Sequence, residues 1–285
     1  GKARVKVRGV ESELFGVHRG VRQGCTLSPW LFNVFMDRVT REAKRQFWSE
    51  VKLSTGDVGV LLFADDMVVM AESVEGLQNN LQVLSNVLSR WELKVNWRKT
   101  KVMRVARKSE CEVKIGEETI EQVDAMKYLG VMISSDGSMD KEVEARIGNA
   151  TRVIGGMNEM VLRRKELSRS TKLKVGNATV MLTLMYGCET WSLSKRQQSK
   201  VQATQMNVLR RIEGVSRLDR IRNVDVREKL QQEGVLDMVK RRQEKWKIRM
   251  EEMSLERTTK KIFAGEMEGK RPRGRPRLKW IDNFK

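Results

Sequence analysis

Two adjacent aspartates, Asp65 and Asp66, are the residues of this chain whose type and setting best suit chemistry. They interrupt two apolar runs, Val58-Gly-Val-Leu-Leu-Phe-Ala64 before them and Met67-Val-Val-Met-Ala71 after them. Two short apolar runs flanking an acidic pair predict a tight hairpin with both carboxylates at its tip. Carboxylates on a rigid strand turn can hold divalent cations. Nucleotidyl transfer needs two such ions, one to activate an attacking 3′-hydroxyl and one to steady the leaving pyrophosphate. Aspartate is also common in solvated turns, so the pair alone is weak evidence. Its apolar flanks are unusual for a surface turn and raise the weight of the first reading without deciding it.

The elements that must position this pair follow from periodicity. Lys2, Arg4, Lys6 and Arg8 alternate with Ala3, Val5 and Val7, which predicts a half-exposed strand over residues 2–8. Residues 16–24 form a glycine-punctuated loop. Ser28 can cap a helix with Pro29 in its first turn and Leu31, Val34, Phe35 and Val39 at helical spacing. Ser73 caps a second helix, with Leu77, Leu81, Leu84, Leu88 and Trp91 on one face as its core stripe. Strands are expected at 93–96, 100–106, 111–115 and 127–133, with a turn at residues 134–137. Beyond about Met139 helical patterns dominate, over roughly 139–164, 168–186, 194–213, 223–232 and 235–253. The only prolines are Pro29, Pro272 and Pro276, so the whole interval between them lacks the commonest helix breaker. The expected fold class is therefore α+β, with a mixed region over 1–138, an all-helical region over 139–255 and a basic, flexible tail over 256–285.

Charge points to the partner. The 285 residues hold 56 Lys and Arg against 37 Asp and Glu, a net charge of +19, which attracts polyanions and nucleic acid first among them. Residues 240–279 carry 15 Lys and Arg against 6 Glu, so the excess is strong near the C-terminal end. Cys25, Cys111 and Cys188 lie far apart with no CxxC pair, and His18 is the single histidine, so neither a disulfide framework nor a zinc site follows. A reducing compartment is the default, with nucleus and cytoplasm both open. No apolar run approaches the roughly 18 residues of a membrane span.

In the order in which they occur, several motifs resemble those of non-LTR (LINE-type) retrotransposon reverse transcriptases. Phe63-Ala64-Asp65-Asp66 is similar to the Phe/Tyr-x-Asp-Asp signature. Gly20-Val-Arg-Gln-Gly-Cys-Thr-Leu-Ser-Pro29 with Leu31-Phe32-Asn33 resembles the preceding glycine-rich loop and helix. Leu93-Lys-Val-Asn96 with Lys99-Thr-Lys101 looks like the next element, and Lys127-Tyr-Leu-Gly-Val131 like the primer-grip hairpin. Tyr186-Gly-Cys-Glu-Thr-Trp191, Leu209-Arg-Arg-Ile212 and Gly274-Arg-Pro-Arg277 with Trp280 extend the resemblance over nearly the whole chain. It implies a partial right-hand palm followed by a helical thumb, and RNA-directed DNA synthesis from an RNA template, a DNA primer and deoxynucleotides with Mg²⁺ (or Mn²⁺). By the same resemblance Asp65 binds the catalytic metals, and Asp66 stands beside it, closer to the primer end. Gln23 and Gly24 line the incoming nucleotide, Lys99 or alternatively Lys101 serves the pyrophosphate, and Lys127 contacts nucleic acid. Outside the motif, Lys99 reads as one more exposed lysine.

The departures matter equally. Such enzymes place another essential aspartate on a palm strand several dozen residues before the glycine-rich loop, and this chain begins only about twenty residues before it. The 285 residues by themselves are accordingly expected to be a C-terminal fragment that does not polymerise. The alternative function is a non-catalytic nucleic-acid-binding remnant of a decayed element. Relatives commonly carry a Gly-His pair after the tryptophan that Trp246 resembles, and no histidine follows here. Arg273, Arg275 and Arg277 stand in an Arg-Gly-Arg-Pro context with the form of an AT-hook core, for which general phosphate-backbone binding is expected over minor-groove selectivity.

Overall fold

The computed structural model describes residues 2–17, 20, 24–46, 48–105, 110–265 and 280–284. The chain is a mixed α/β protein of small hairpins and helices, and it divides into two compact units. The first comprises Gly1–Lys52, Asp57–Thr100 and Glu112–Ile120; the second comprises Leu53–Gly56, Lys101–Cys111 and Glu121–Lys285. Among the described residues no helix is long and apolar enough to cross a membrane.

The first unit is built on two helices, Ser28–Lys44 and Val74–Arg90. Ser73 caps the second as its sequence predicts, its hydroxyl accepting from the Gly76 N–H at 3.0 Å. Ser28 does not cap the first: the N-cap is Leu27, without a side-chain bond, and Ser28 is buried inside the first turn. Val39, Ala43, Leu84, Val87 and Leu88 form the core between the helices, and each fully buried aliphatic side chain contributes about 1.5–3 kcal/mol. Leu84 and Leu88 come from the expected stripe, Leu77 and Leu81 are half-buried, and Val87 joins them. Two polar links fix the packing. Buried Asn80 exchanges bonds with the Ser49 backbone at 2.8 and 2.7 Å, and Glu42 accepts from the Trp91 indole and pairs with Arg90, both at 2.9 Å. Residues 93–96 are not a strand. Leu93 and Val95 pack on this core from an irregular segment instead. The expected strand at 2–8 is split into the two-residue strands Lys2–Ala3, paired antiparallel with Phe15–Gly16, and Lys6–Val7, in a hairpin with Val10–Glu11.

The second unit is mostly helical, and most of its helices follow the predicted spans. Those within the predicted spans are Asp140–Met157, Arg169–Gly176, Leu182–Leu184, Lys195–Glu213, Asn223–Lys229 and Val235–Glu251, with π-helical turns at Asn158–Leu162 and Asn177–Met181; Thr258–Ala264 adds a short helix in the stretch expected to be a flexible tail. Ser194 and Gln197 make a capping box at the start of Lys195–Glu213. Trp191 is fully buried, and Gln243 Nε2 donates to the carbonyls of Cys188 and Trp191 at 3.0 and 2.8 Å. Trp280–Phe284 returns to the same region. The Trp280 indole donates to the Glu189 carbonyl at 2.6 Å, and its ring packs edge-on against Phe263 and Phe284.

The segment read as one strand at 127–133 is a hairpin, Ala125–Tyr128 paired antiparallel with Val131–Ser134. Its two-residue turn has positive φ at both Leu129 (48°) and Gly130 (84°), the pattern of a type I′ turn. Gly130 meets that demand without penalty, whereas Leu129 costs about 1–3 kcal/mol there. Its surroundings hold the turn. Tyr186 Oη donates to the Leu129 carbonyl at 2.9 Å, Arg146 donates to the Gly130 carbonyl, and Glu142 accepts from the Met132 N–H at 2.6 Å. A Cβ on Gly130 would come within 3.1 Å of the Tyr186 ring. Glu142 is fully buried and bonds Arg146 at 2.6 Å, and the Arg146 guanidinium lies 4.7 Å from the Tyr186 ring centroid.

Two outcomes are expected. Glu142→Ala leaves Arg146 buried without its carboxylate, and urea unfolding should register a loss of about 3–5 kcal/mol. Burial first and Glu189 second push the Cys188 thiol up to about 11. At pH 8 it is therefore almost wholly protonated, and iodoacetamide should spare Cys188 in the folded chain while modifying exposed Cys25. Mass spectrometry of the two peptides reads this, and both should react once the protein is unfolded.

Candidate functional site

The hairpin Val60–Phe63 and Asp66–Val69 is antiparallel, with Val60 opposite Val69, Leu61 opposite Val68, Leu62 opposite Met67 and Phe63 opposite Asp66. Only Ala64 and Asp65 remain for the turn. A bond from the Met70 N–H to the Gly59 carbonyl at 2.8 Å continues the pairing below it. Successive side chains of a strand point to opposite faces. Met67 and Val69 pack on the core between the two helices, which turns Asp66, Val68 and the opposed Phe63 to the other face. Phe63 is 62% exposed there, and Ala64, Asp65 and Asp66 are exposed with it. Ala64 has φ of 54°, a conformation natural to glycine and costing an L residue about 1–2 kcal/mol. The two carboxylates thus occupy consecutive positions at an exposed tip, Asp65 in the turn and Asp66 at the first paired position.

Asp65 and Asp66 offer hard oxygen donors without nitrogen or sulfur competitors, which suits Mg²⁺ or Mn²⁺. Among the described residues no three His, Cys, Asp or Glu side chains cluster to hold a metal. Two carboxylates fit an open Mg²⁺ site, because that ion is ordinarily held by one or two carboxylates and completed by substrate phosphates and water.

The two lysine candidates have different surroundings. Lys99, in the same unit as the hairpin, sits in a turn where its N–H donates to the Asn96 carbonyl at 3.1 Å, and its ammonium makes no ion pair among the described residues. Lys101 is in the second unit, on a two-residue strand parallel to Glu121–Gln122, and its ammonium is bound by Glu121. Lys127 is exposed on the strand Ala125–Tyr128, opposite Met132. Gly24 is exposed with φ of 82°, and a Cβ there would meet nothing within 4 Å. Within this structure its conformation, and not a close neighbour, is what calls for glycine. Gln23, Arg273, Arg275 and Arg277 lie outside the described residues.

Two features had no clear signal in the sequence. Glu142, Arg146 and Tyr186 converge on the Leu129–Gly130 turn from positions 10 to 57 residues away in the chain; only Tyr186 stood in a quoted motif. A concavity of about 340 Å³ is lined by Arg169, Lys174, Asn177, Lys229 and Gln232, and Arg169 and Lys229 both pair with the same Glu213 carboxylate.

Residues 4–133 match the reverse transcriptase (RNA-dependent DNA polymerase) family. The chain is 25% identical over 231 residues to the RNA-directed DNA polymerase from mobile element jockey of Drosophila melanogaster, covering 78% of this chain and 25% of that protein. It is 33% identical over 154 residues to the Pol polyprotein of the type-1 retrotransposable element R2 of Nasonia vitripennis, covering 50% of this chain and 15% of that protein. A transposon-derived protein of Caenorhabditis elegans is 25% identical over 79% of this chain and 83% of its own length. The chain thus spans about a quarter of the length of the jockey polymerase, and the matched 231 residues reach beyond the segment 4–133. Residues 4–133, with the Asp65–Asp66 hairpin inside them, are therefore similar to the reverse transcriptase family, on a chain similar to those of LINE-type mobile elements.

Proposed function

We propose that this chain serves RNA-directed DNA synthesis in a non-LTR retrotransposon polymerase, with Asp65 and Asp66 as its metal-binding carboxylates. The observation that carries the reading is the hairpin tip: two exposed carboxylates on a strained two-residue turn, inside a segment similar to the reverse transcriptase family. Backbone strain of this kind persists where surrounding structure over-determines it, and it clusters at functional turns. A bound Mg²⁺ pair supplies Lewis-acid stabilisation of the transferring phosphoryl group. Asp65 and Asp66 would hold the ions, and the apolar packing of Met67 and Val69 would keep the Asp66 carboxylate on the face away from the core, beside the turn that carries Asp65. The RNA template, DNA primer and deoxynucleotides are the partners of this reading.

Lys99 is the better candidate than Lys101 for neutralising pyrophosphate charge, because Glu121 already engages Lys101. Gln23 and Gly24 would line the nucleotide, and Lys127 would meet the primer-template backbone from the hairpin that Tyr186 and Arg146 brace. The hairpins and the Ser28–Lys44 and Val74–Arg90 helices correspond in this reading to part of the palm, and the helices from Asp140 onward to the thumb. Lys174, exposed at a concavity of the second unit and without an ion pair among the described residues, supports that correspondence, since phosphate contacts position a duplex without reading its sequence. Arg273, Arg275 and Arg277 would add backbone contacts.

The test is a chimera in which residues 4–133 replace the matched segment of the jockey polymerase. It should extend an RNA-templated primer, and Asp65→Asn should lower extension at least about a hundredfold, the loss of roughly 3 kcal/mol of transition-state stabilisation. Extension unchanged by that substitution would overturn the assignment. Ala64→Gly should preserve activity and raise stability by about 1 kcal/mol in thermal unfolding, since glycine accepts the positive φ and Ala64 is exposed.

A further inference from the structure

The loop between the helices Lys195–Glu213 and Asn223–Lys229 is built to hold an apolar tip away from the protein. Arg217–Arg220 is a β-turn closed by the Arg220 N–H and the Arg217 carbonyl at 3.2 Å, with Leu218 and Asp219 at its centre. Leu218 is 91% exposed, the highest value among the exposed large hydrophobic side chains described. A single exposed leucine is ordinary on a floppy loop; this loop is secured at several points. Asp219 accepts from the Ser216 N–H at 2.6 Å and from the Ser216 hydroxyl at 2.9 Å, and the Leu218 N–H donates to that hydroxyl at 3.1 Å. The Ser216 bonds hold the Asp219 carboxyl below the usual carboxylate range. Arg210 clamps both ends of the loop, donating to the Ser216 carbonyl at 3.1 Å, the Ile221 carbonyl at 2.6 Å and Asn223 Oδ1 at 3.0 Å. Leu218 is therefore held outward.

Charge at the tip selects the partner. Arg217 and Arg220 occupy the two ends of the turn, flanking Leu218 and Asp219, and neither makes an ion pair among the described residues. Of the nearby acids, Asp225 is paired with Arg222 at 3.0 Å, and Asp219, bonded back onto Ser216, stays ionised, so Arg217–Arg220 carries two cations against one carboxylate. Arg220 also has φ of 55°, a strained conformation that the anchored loop sustains. An apolar wedge between two free guanidinium groups is the arrangement that unstacks a base step while cations hold the flanking phosphates. We infer that the Arg217–Arg220 turn is a nucleic-acid contact, in which Leu218 inserts at a base step of a duplex and Arg217 and Arg220 bind its backbone. This site is separate from the Asp65–Asp66 hairpin and does not depend on metal chemistry.

The test uses the full 285-residue chain and a DNA duplex carrying 2-aminopurine, titrated at several salt concentrations. Leu218→Ala should abolish the rise in 2-aminopurine fluorescence and weaken binding about fivefold, leaving the salt dependence unchanged. Arg217→Gln should lower the slope of log affinity against log salt by about 1. Lys195→Gln, an equal charge change on an exposed helix residue outside the loop, should leave both the slope and the fluorescence rise intact. Leu218 is so exposed that its loss should not disturb the fold, which circular dichroism checks. Wild-type fluorescence and affinity in Leu218→Ala would overturn the wedge. Equal slope changes for Arg217→Gln and Lys195→Gln would reduce the arginine contribution to net charge and overturn the site.

Discussion

Met67 and Val69 cannot reach the core between the Ser28–Lys44 and Val74–Arg90 helices without turning Asp66 to the opposite face, because strand side chains alternate. That alternation is the constraint on which the candidate site rests. The apolar flanks of the acidic pair are not incidental to it. They supply the burial that fixes the register, and a shift of one residue would bury Asp66 and expose Met67, at the cost of an unpaired carboxylate in an apolar layer. The same packing sets how little chain is left for the turn. With Phe63 opposite Asp66, two residues must reverse the direction, and Ala64 takes a positive φ to do it.

The second hairpin meets the same geometric demand by different means. Leu129 and Gly130 both have positive φ, and only Gly130 is suited to it. The strain is offset by buried Glu142, which receives the Met132 N–H and Arg146, while buried Arg146 and exposed Tyr186 bind the two turn carbonyls. A buried ion pair seldom adds net stability over an apolar pair of equal volume, since desolvation opposes it. Here the pair satisfies backbone groups at a turn, so its value lies in fixing one conformation of the hairpin that carries Lys127. One hairpin is thus held by apolar burial, the other by a satisfied polar network.

The positive charge is distributed unevenly between structure and surface. Many basic residues are absorbed by local pairs: Arg90 with Glu42, Lys101 with Glu121, and Arg169 and Lys229 with Glu213. Others, such as Arg217 and Arg220, project without an acidic partner among the described residues. This division matters for a polyanion partner, because only cations that are not already neutralised release counterions from a nucleic-acid backbone in full.

Much of this was legible in the sequence. Period and capping placed the helix at Ser73 and the spans of the second unit, and two apolar runs around Asp65-Asp66 predicted the hairpin, because these signals are local and read within one or two turns. Local signals failed where tertiary packing overrode them. Residues 93–96 have the composition of a strand but give Leu93 and Val95 to a helical core, and residues 127–133, read by period as one strand, fold back at Leu129 into the hairpin that the resemblance implied. Ser28 looked like a cap and is buried one position inside its helix. The sequence alone determined which residues could do chemistry, since donor type and apolar flanks are written in order along the chain. Which lysine is engaged by an acid, and what braces the Leu129 turn, only the tertiary structure decided. Lys101 meets Glu121, and Glu142, Arg146 and Tyr186 meet the turn, through contacts between residues 10 to 57 positions apart that no local pattern encodes.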